Sequence, residues 1–334
     1  MAGKKQQHFY GGQAVLEGVM MRGKDTWALA VRRPNADIYV EENKVKGLAA
    51  KYPLFRKPLF RGVAALGEAM SIGVRALTTS ANQALEEEEK LSTRQMAMSM
   101  VLAFVFFIAI FIVLPAIGVN FFSKKIHHSL TYNLIEGVVR VGIFVGYLVG
   151  ISFVKEIRRV FMYHGAEHKT IAAYEAGEPV LEPGAVDKYS TLHVRCGTNF
   201  LIIVMLLTVF IFSFFGRPAI WLRIIERIVA IPLLAGISYE ALRLGANHGS
   251  NPIVKALMKP GLWLQKITTR PPTHDQIEVA IRSFEAVLPQ DERGRVPALP
   301  SPIVSRADFV APDPAEPQPP PTPDHPVPQP PAKP

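Results

Sequence analysis

A single cysteine, Cys196, stands in 334 residues. No disulfide can form within such a chain, which fits a reduced compartment and leaves one thiol for metal or redox chemistry. Polar residues are scarce for this length: 49% of the chain is hydrophobic and the mean hydropathy is +0.18. That balance points away from an ordinary soluble protein and toward membrane spans. No apolar run follows the lysines of Met1 to Gly12, which excludes a cleaved signal peptide there. No P-loop, dinucleotide-binding loop or nucleic-acid motif is present. The net charge of +9 is therefore read as membrane orientation and contact with anionic headgroups, with no nucleic acid as partner.

What is abundant is apolar sequence between about residues 97 and 240. A hydrocarbon core about 30 Å thick needs about 20 apolar residues in a helix. Gln95 to Phe122 qualifies, preceded by the capping-box pattern Ser92-Thr93-Arg94-Gln95. Leu134 to Val154 and Asn199 to Phe215 follow, and the second span is expected to continue as a helix through Tyr174. Arg217-Pro218 reads as a turn into a fourth span, Ala219 to Tyr239, whose Arg223, Glu226 and Arg227 must face protein or the interface. A re-entrant helix is the alternative for that segment. The connection after the first span holds only Lys124 and Lys125, whereas the next holds Lys155, Arg158, Arg159, Lys169, Lys188 and Arg195. The positive-inside rule then places both termini and the 155–198 connection in the cytoplasm.

Outside the spans, Trp27 to Arg33 and Asp37 to Val40 read as a hairpin around Pro34-Asn35-Ala36. Leu59 to Leu85 has helical periodicity and packs on the rest or lies in the interface. Glu86 to Glu89 reads as a solvated charge run. The proline-dominated segment after Pro289 cannot bury a core.

Chemistry is concentrated in His164-Gly165-Ala166-Glu167-His168. Histidines at i and i+4 share one helix face and suit chelation of one ion. The glutamate makes this the H-x-x-E-H arrangement, in which it acts as general base on a water held by the metal. With nine histidines in the chain, a bare H-x-x-x-H pair arises by chance roughly a quarter of the time; the glutamate lowers that to on the order of 1%. The plain alternative is a set of histidines hydrogen-bonded in a polar core. His193-Val194-Arg195-Cys196 precedes the third span, and His193 and Cys196 have metal-ligand spacing. His164, His168, His193 and Cys196 would form a four-ligand zinc set, closed and structural if all four bind and catalytic if one stays away. Arg195 in that turn and Glu240 at the end of the fourth span are further candidates. His248 and His274 lack ligand-like spacing.

The stretch Gly11 to Gly23 is rich in glycine, which implies a tight backbone path against another surface. Its Glu17 and Arg22 either line a site or form a buried ion pair.

The Gly11 to Gly23, Tyr163 to His168 and His193 to Thr198 segments resemble the YqhQ-like bacterial membrane proteins, over roughly residues 8 to 285. That family, of unknown function, is often described as metal-dependent enzymes, and its pattern commonly has proline at the position of Val194. The resemblance implies an integral protein of the bacterial cell membrane and supports His164, Glu167, His168, His193 and Cys196, together with Glu17.

The expected architecture is mainly α: a polytopic helical membrane protein of about four spans with a small cytoplasmic α+β portion. Residues 1–94 form a cytoplasmic N-terminal region, 95–240 the transmembrane core, 241–288 a cytoplasmic segment and 289–334 a disordered tail. Partners are the lipid bilayer and proteins reached through the N-terminal region or the tail. The expected function is a zinc-type hydrolase using Zn2+ or another divalent transition metal, with Glu167 catalytic. A non-catalytic scaffold with a structural metal is the alternative.

Overall fold

A computed structural model describes residues 10–45, 47, 52–86, 92–121, 126–247, 251–293, 296–297 and 299–305. Lys124, Lys125, His248, Glu87 to Glu89 and the tail beyond Ser305 lie outside the described residues.

The N-terminal region is a sheet. Strands β1 (Gly11–Val15), β2 (Gly18–Arg22), β3 (Thr26–Arg32) and β4 (Ile38–Lys44) pair antiparallel in chain order. The hairpin expected around Pro34-Asn35-Ala36 is β3–β4, with Ala36 at φ 71 completing its turn. The β1–β2 hairpin was not expected, because glycine is depleted in strands. It turns through Leu16 and Glu17, the latter at φ 49.

Both faces of the sheet are covered, so β2 and β3 read as unbroken apolar runs rather than alternating ones. Met20, Trp27, Leu29 and Val31 pack against Ile72 and Ala76 of α1 (Phe60–Ala84). Their neighbours Val19, Met21, Ala28 and Ala30 pack on the opposite side with two other helices, α4 (Lys155–Glu175) and α9 (His274–Val287). α1 therefore packs on the rest of the protein, one of the two expectations for Leu59 to Leu85.

α2 is one rod of three parts, Thr93–Ile108, a π-helical turn Ala109–Val113 and Leu114–Asn120, begun by the capping box at Ser92. α3 (Ser129–Ile151) follows. These two helices, over Arg94–Asn120 and Ser129–Ile151, are long and apolar enough to cross a membrane. α6 (Gly197–Ser213), reached after the short α5 (Pro183–Val186), is apolar but shorter. α7 (Ile220–Asn247) is a single helix containing Pro232, with no re-entrant break.

Two expectations are corrected. The helix of the second span does not run through to Tyr174: it ends at Ile151, and α4 starts afresh at Lys155 after a turn. There Ser152 Oγ donates to the Val149 carbonyl at 2.7 Å, and Val154 is extended as the N-cap of α4. Nor are the residues after Pro289 uniformly without structure: 299–305 are described. The carbonyl of Pro302 accepts from Ile38, and β5 (Ile303–Ser305) adds in parallel to β4, whose edge offers unpaired backbone groups. The 241–288 segment holds α8 (Pro252–Thr268) and α9.

Candidate metal centre

Two elements meet at the motif residues. His164 and His168 sit one turn apart on α4, and Cys196 is the N-cap of α6, its Sγ accepting from the Thr198 amide at 3.3 Å. One donor atom from each of His164, His168 and Cys196 lies within 4.8 Å of the other two. His164 Nε2 is 3.2 Å from Cys196 Sγ. With zinc–nitrogen bonds of about 2.0–2.1 Å and a zinc–sulfur bond of about 2.3 Å, tetrahedral geometry would put those atoms about 3.5 Å apart.

The imidazoles are oriented from behind. His164 Nδ1 contacts the Thr268 carbonyl at 2.8 Å, and His168 Nδ1 contacts the Thr191 carbonyl. A carbonyl only accepts, so both Nδ1 atoms carry the proton and both Nε2 lone pairs are left for a metal. His168 is 1% exposed, and its Nε2 has no hydrogen-bond partner among the described residues. Burial lowers its pKa, so it stays neutral. A divalent ion of the zinc type fits this donor set of two imidazole nitrogens and a sulfur.

Glu167, on the same turn, is buried. It accepts from the Gly12 amide, while its Oε2 has no partner among the described residues. Burial pushes its carboxyl up to about 7, against the lowering effects of His164 and the Gly12 amide. The glycine-rich strand does follow a tight path here, since a Cβ on Gly12 would stand 2.8 Å from Glu167 Cδ. Gly165 has an equivalent role within the motif: a Cβ there would meet the Arg270 carbonyl at 2.1 Å, and that carbonyl belongs to the chain that brings Thr268 to His164.

His193 stands beside this group. Its ring centroid is 5.6 Å from that of His168, and its Nε2 faces Glu175 at 3.6 Å and Arg195 at 3.3 Å. Burial raises the Glu175 pKa, but hydrogen bonds from His193 and Arg195 outweigh it and hold the carboxyl below its ordinary value. The turn carrying His193 and Cys196 is gripped by Gln265 of α8, which donates to the His193 carbonyl at 2.8 Å and accepts from its amide at 2.9 Å. Asn199 donates to the Val194 carbonyl at 2.6 Å.

The remaining candidates lie apart from the histidines. Glu17 and Arg22 do not pair with each other. Glu17 accepts from Arg159 and, at 3.2 Å, from Tyr163, clamping the hairpin tip to α4, while Arg22 pairs with Glu68 of α1. Glu240 accepts from Arg61 at 2.6 Å, joining α7 to α1. Arg22, Arg61 and Arg195 nevertheless share a cleft of about 550 Å³ with Gly12, Phe200 and Tyr239. Gly12 is thus common to the cleft wall and the Glu167 contact.

Gln265, Glu175 and the carbonyls of Thr191 and Thr268 were missed from sequence. Backbone carbonyls carry no sequence signal. The α8–α9 pair did have one, the capping box from Thr273 to Gln276.

No solved structure matches the chain. The Uncharacterized protein YqhQ of Bacillus subtilis (strain 168) is 35% identical over 293 residues, which is 84% of this chain and 92% of that protein. The model of a family described as Protein of unknown function (DUF1385) matches residues 57–290. With more than two thirds of its length matched on both grounds, the chain belongs to the DUF1385 family, which includes YqhQ-like proteins.

Proposed function

We propose that the chain is a membrane-embedded, zinc-type metal-dependent hydrolase with its site at the cytoplasmic face. α2, α3, α6 and the part of α7 up to Tyr239 would be its four spans, with both termini inside and Glu240 at the cytoplasmic end of the fourth. The topology draws support from the long apolar helices and from large apolar side chains on their outer surfaces, such as Leu102, Phe104 and Val138. Charge in the connections supports the orientation.

The observation that carries the catalytic reading is the geometry of His164, His168 and Cys196, with Glu167 beside them. Three donors leave a fourth position open, the pattern of catalytic rather than structural zinc. The ion, when bound, supplies Lewis acidity. Glu167, with one carboxylate oxygen tied to Gly12 and the other unpartnered, is the group placed to take and return a proton. The cleft beyond Gly12 is the route by which a substrate would approach.

A structural staple is the second reading. It is favoured by the way the same residues tie α4, the 191–196 turn and α8 together through the two carbonyl contacts. Elemental analysis of purified protein, followed by Glu167→Gln, separates the two. A catalyst keeps its metal and loses cellular function; a staple keeps both. Absence of stoichiometric transition metal removes both readings. Protease protection of inverted membrane vesicles tests orientation, with cleavage in the 176–190 segment expected.

A further inference from the structure

A second concentration of charge lies at the other end of the helices, where α3 and α7 begin. Glu136 is fully buried and accepts hydrogen bonds from Arg140 at 3.0 Å, from Arg223 at 3.5 Å and from Arg227. The three arginine side chains are themselves only 11%, 7% and 6% exposed. Three guanidinium groups against one carboxylate leave two positive charges in excess, and buried uncompensated charge is strongly unfavourable. Glu226, the next acid on α7, takes part in none of these hydrogen bonds.

Dipoles and rings soften the imbalance without cancelling it. Arg140 Nε donates to the Phe111 carbonyl at 3.1 Å, within the π-helical turn of α2. Arg223 donates to Tyr132 Oη at 2.9 Å and the Pro218 carbonyl at 3.3 Å. Arg223 also stacks over the Tyr132 ring and Arg227 over Phe212. Two donors are still unused: Nε of Arg223 and Nε of Arg227 are buried with no hydrogen-bond partner among the described residues. Four residues apart on α7, they fall on one helix face, one turn from each other.

We propose that Arg223 and Arg227, backed by Arg140 and oriented by Glu136, form a binding site for a phosphate-class oxyanion. Guanidinium edges match pairs of phosphate oxygens, and a phosphate's several oxygens can bridge two arginines where a monatomic anion cannot. A dianion would balance the excess charge, and Glu136 would then act as a brace that holds the guanidinium groups in register. The four-span topology proposed above would put this site at the extracytoplasmic end, away from the histidines, but the charge argument does not depend on that topology. Two sources share this chemistry, free inorganic phosphate and a phospholipid headgroup.

Thermal unfolding of the full-length protein in neutral, phosphate-free detergent tests the site. Inorganic phosphate or short-chain phosphatidylglycerol is expected to raise Tm by a few degrees, with chloride at equal ionic strength giving no rise. A response to inorganic phosphate assigns a free anion, and a response to the lipid alone assigns a headgroup. Arg223→Gln combined with Arg227→Gln should abolish the response. No shift with either probe, an equal shift with chloride, or a shift that survives the double substitution overturns the proposal. If the double variant does not fold, native mass spectrometry of the unaltered protein decides: one retained phosphate or phospholipid supports the site, and none sinks it.

Discussion

The Gly12 backbone and the Glu167 carboxylate are in direct contact, with an amide donating to the acid and no room for a side chain between them. This contact between the edge strand β1 and α4 is thus also a contact of the candidate centre. Gly12→Ala should force the carboxylate or the strand to move, at a cost of ~1–3 kcal/mol for overpacking. Thermal unfolding and metal content, measured on the same preparation, should both fall. A variant that matches the parent in both would show that β1 yields without disturbing Glu167.

His193 and the other three motif ligands should separate experimentally. Because His193 faces Glu175 and Arg195, His193→Ala should leave metal stoichiometry near that of the parent. His164→Ala and Cys196→Ala should each remove most of the metal. Equal losses from all three would mean that the His193 ring turns inward when an ion binds.

Gln265 is a positioning residue on α8. Gln265→Leu removes both hydrogen bonds to the 193–196 turn; the His193 carbonyl keeps the Cys196 amide at 3.4 Å, but the His193 amide loses its acceptor, costing ~1–3 kcal/mol. Since the turn aims Cys196, metal affinity should drop by roughly 10–100-fold, the range seen for supporting residues. Competition with a chelator of known affinity reads this out.

The Arg61–Glu240 pair gives a pH signature. The Arg61 hydrogen bond holds the Glu240 carboxyl below its ordinary value. A carboxyl depressed in the folded state stabilises above its unfolded pKa, about 4.3, and that contribution fades as pH falls through the lower folded value. Arg61→Gln should therefore cost ~0–1 kcal/mol at pH 7, as for a solvent-accessible pair, and progressively less below about pH 4. Paired unfolding curves across that range measure it; a difference that grows on acidification would contradict the assignment.

The H-x-x-E-H motif and the β3–β4 hairpin were legible because their information is local: a helical spacing in one case, a turn flanked by apolar runs in the other. The Gly11 to Gly23 segment was legible only as a close approach. Its strand identity depends on β3 and α4 lying alongside it, and those neighbours are not encoded in the segment. The same holds for Ile303–Ser305, which looked like part of a proline-rich tail until the open edge of β4 was placed next to it. The break at Ser152–Val154 escaped notice because the nearest glycine, Gly150, looks no different in sequence from Gly142 and Gly146, which lie inside the helix. His193 shows the limit of spacing arguments: an H-x-x-C pattern fixes proximity along the chain, while Glu175, 18 positions earlier, sets the direction of the ring.

The way the C-terminal elements return to the first strands also has a consequence in time. One face of the sheet is covered by α9, and its edge by β5, so strands made first wait for segments made last. At ~5–20 residues per second, the interval between Arg32 and Val287 leaving the ribosome is on the order of 10–50 s. During it the face bearing Val19, Met21, Ala28 and Ala30 lacks its α9 cover. A nascent chain stalled before α9 should accordingly depend on holding chaperones in a way that one stalled after β5 does not.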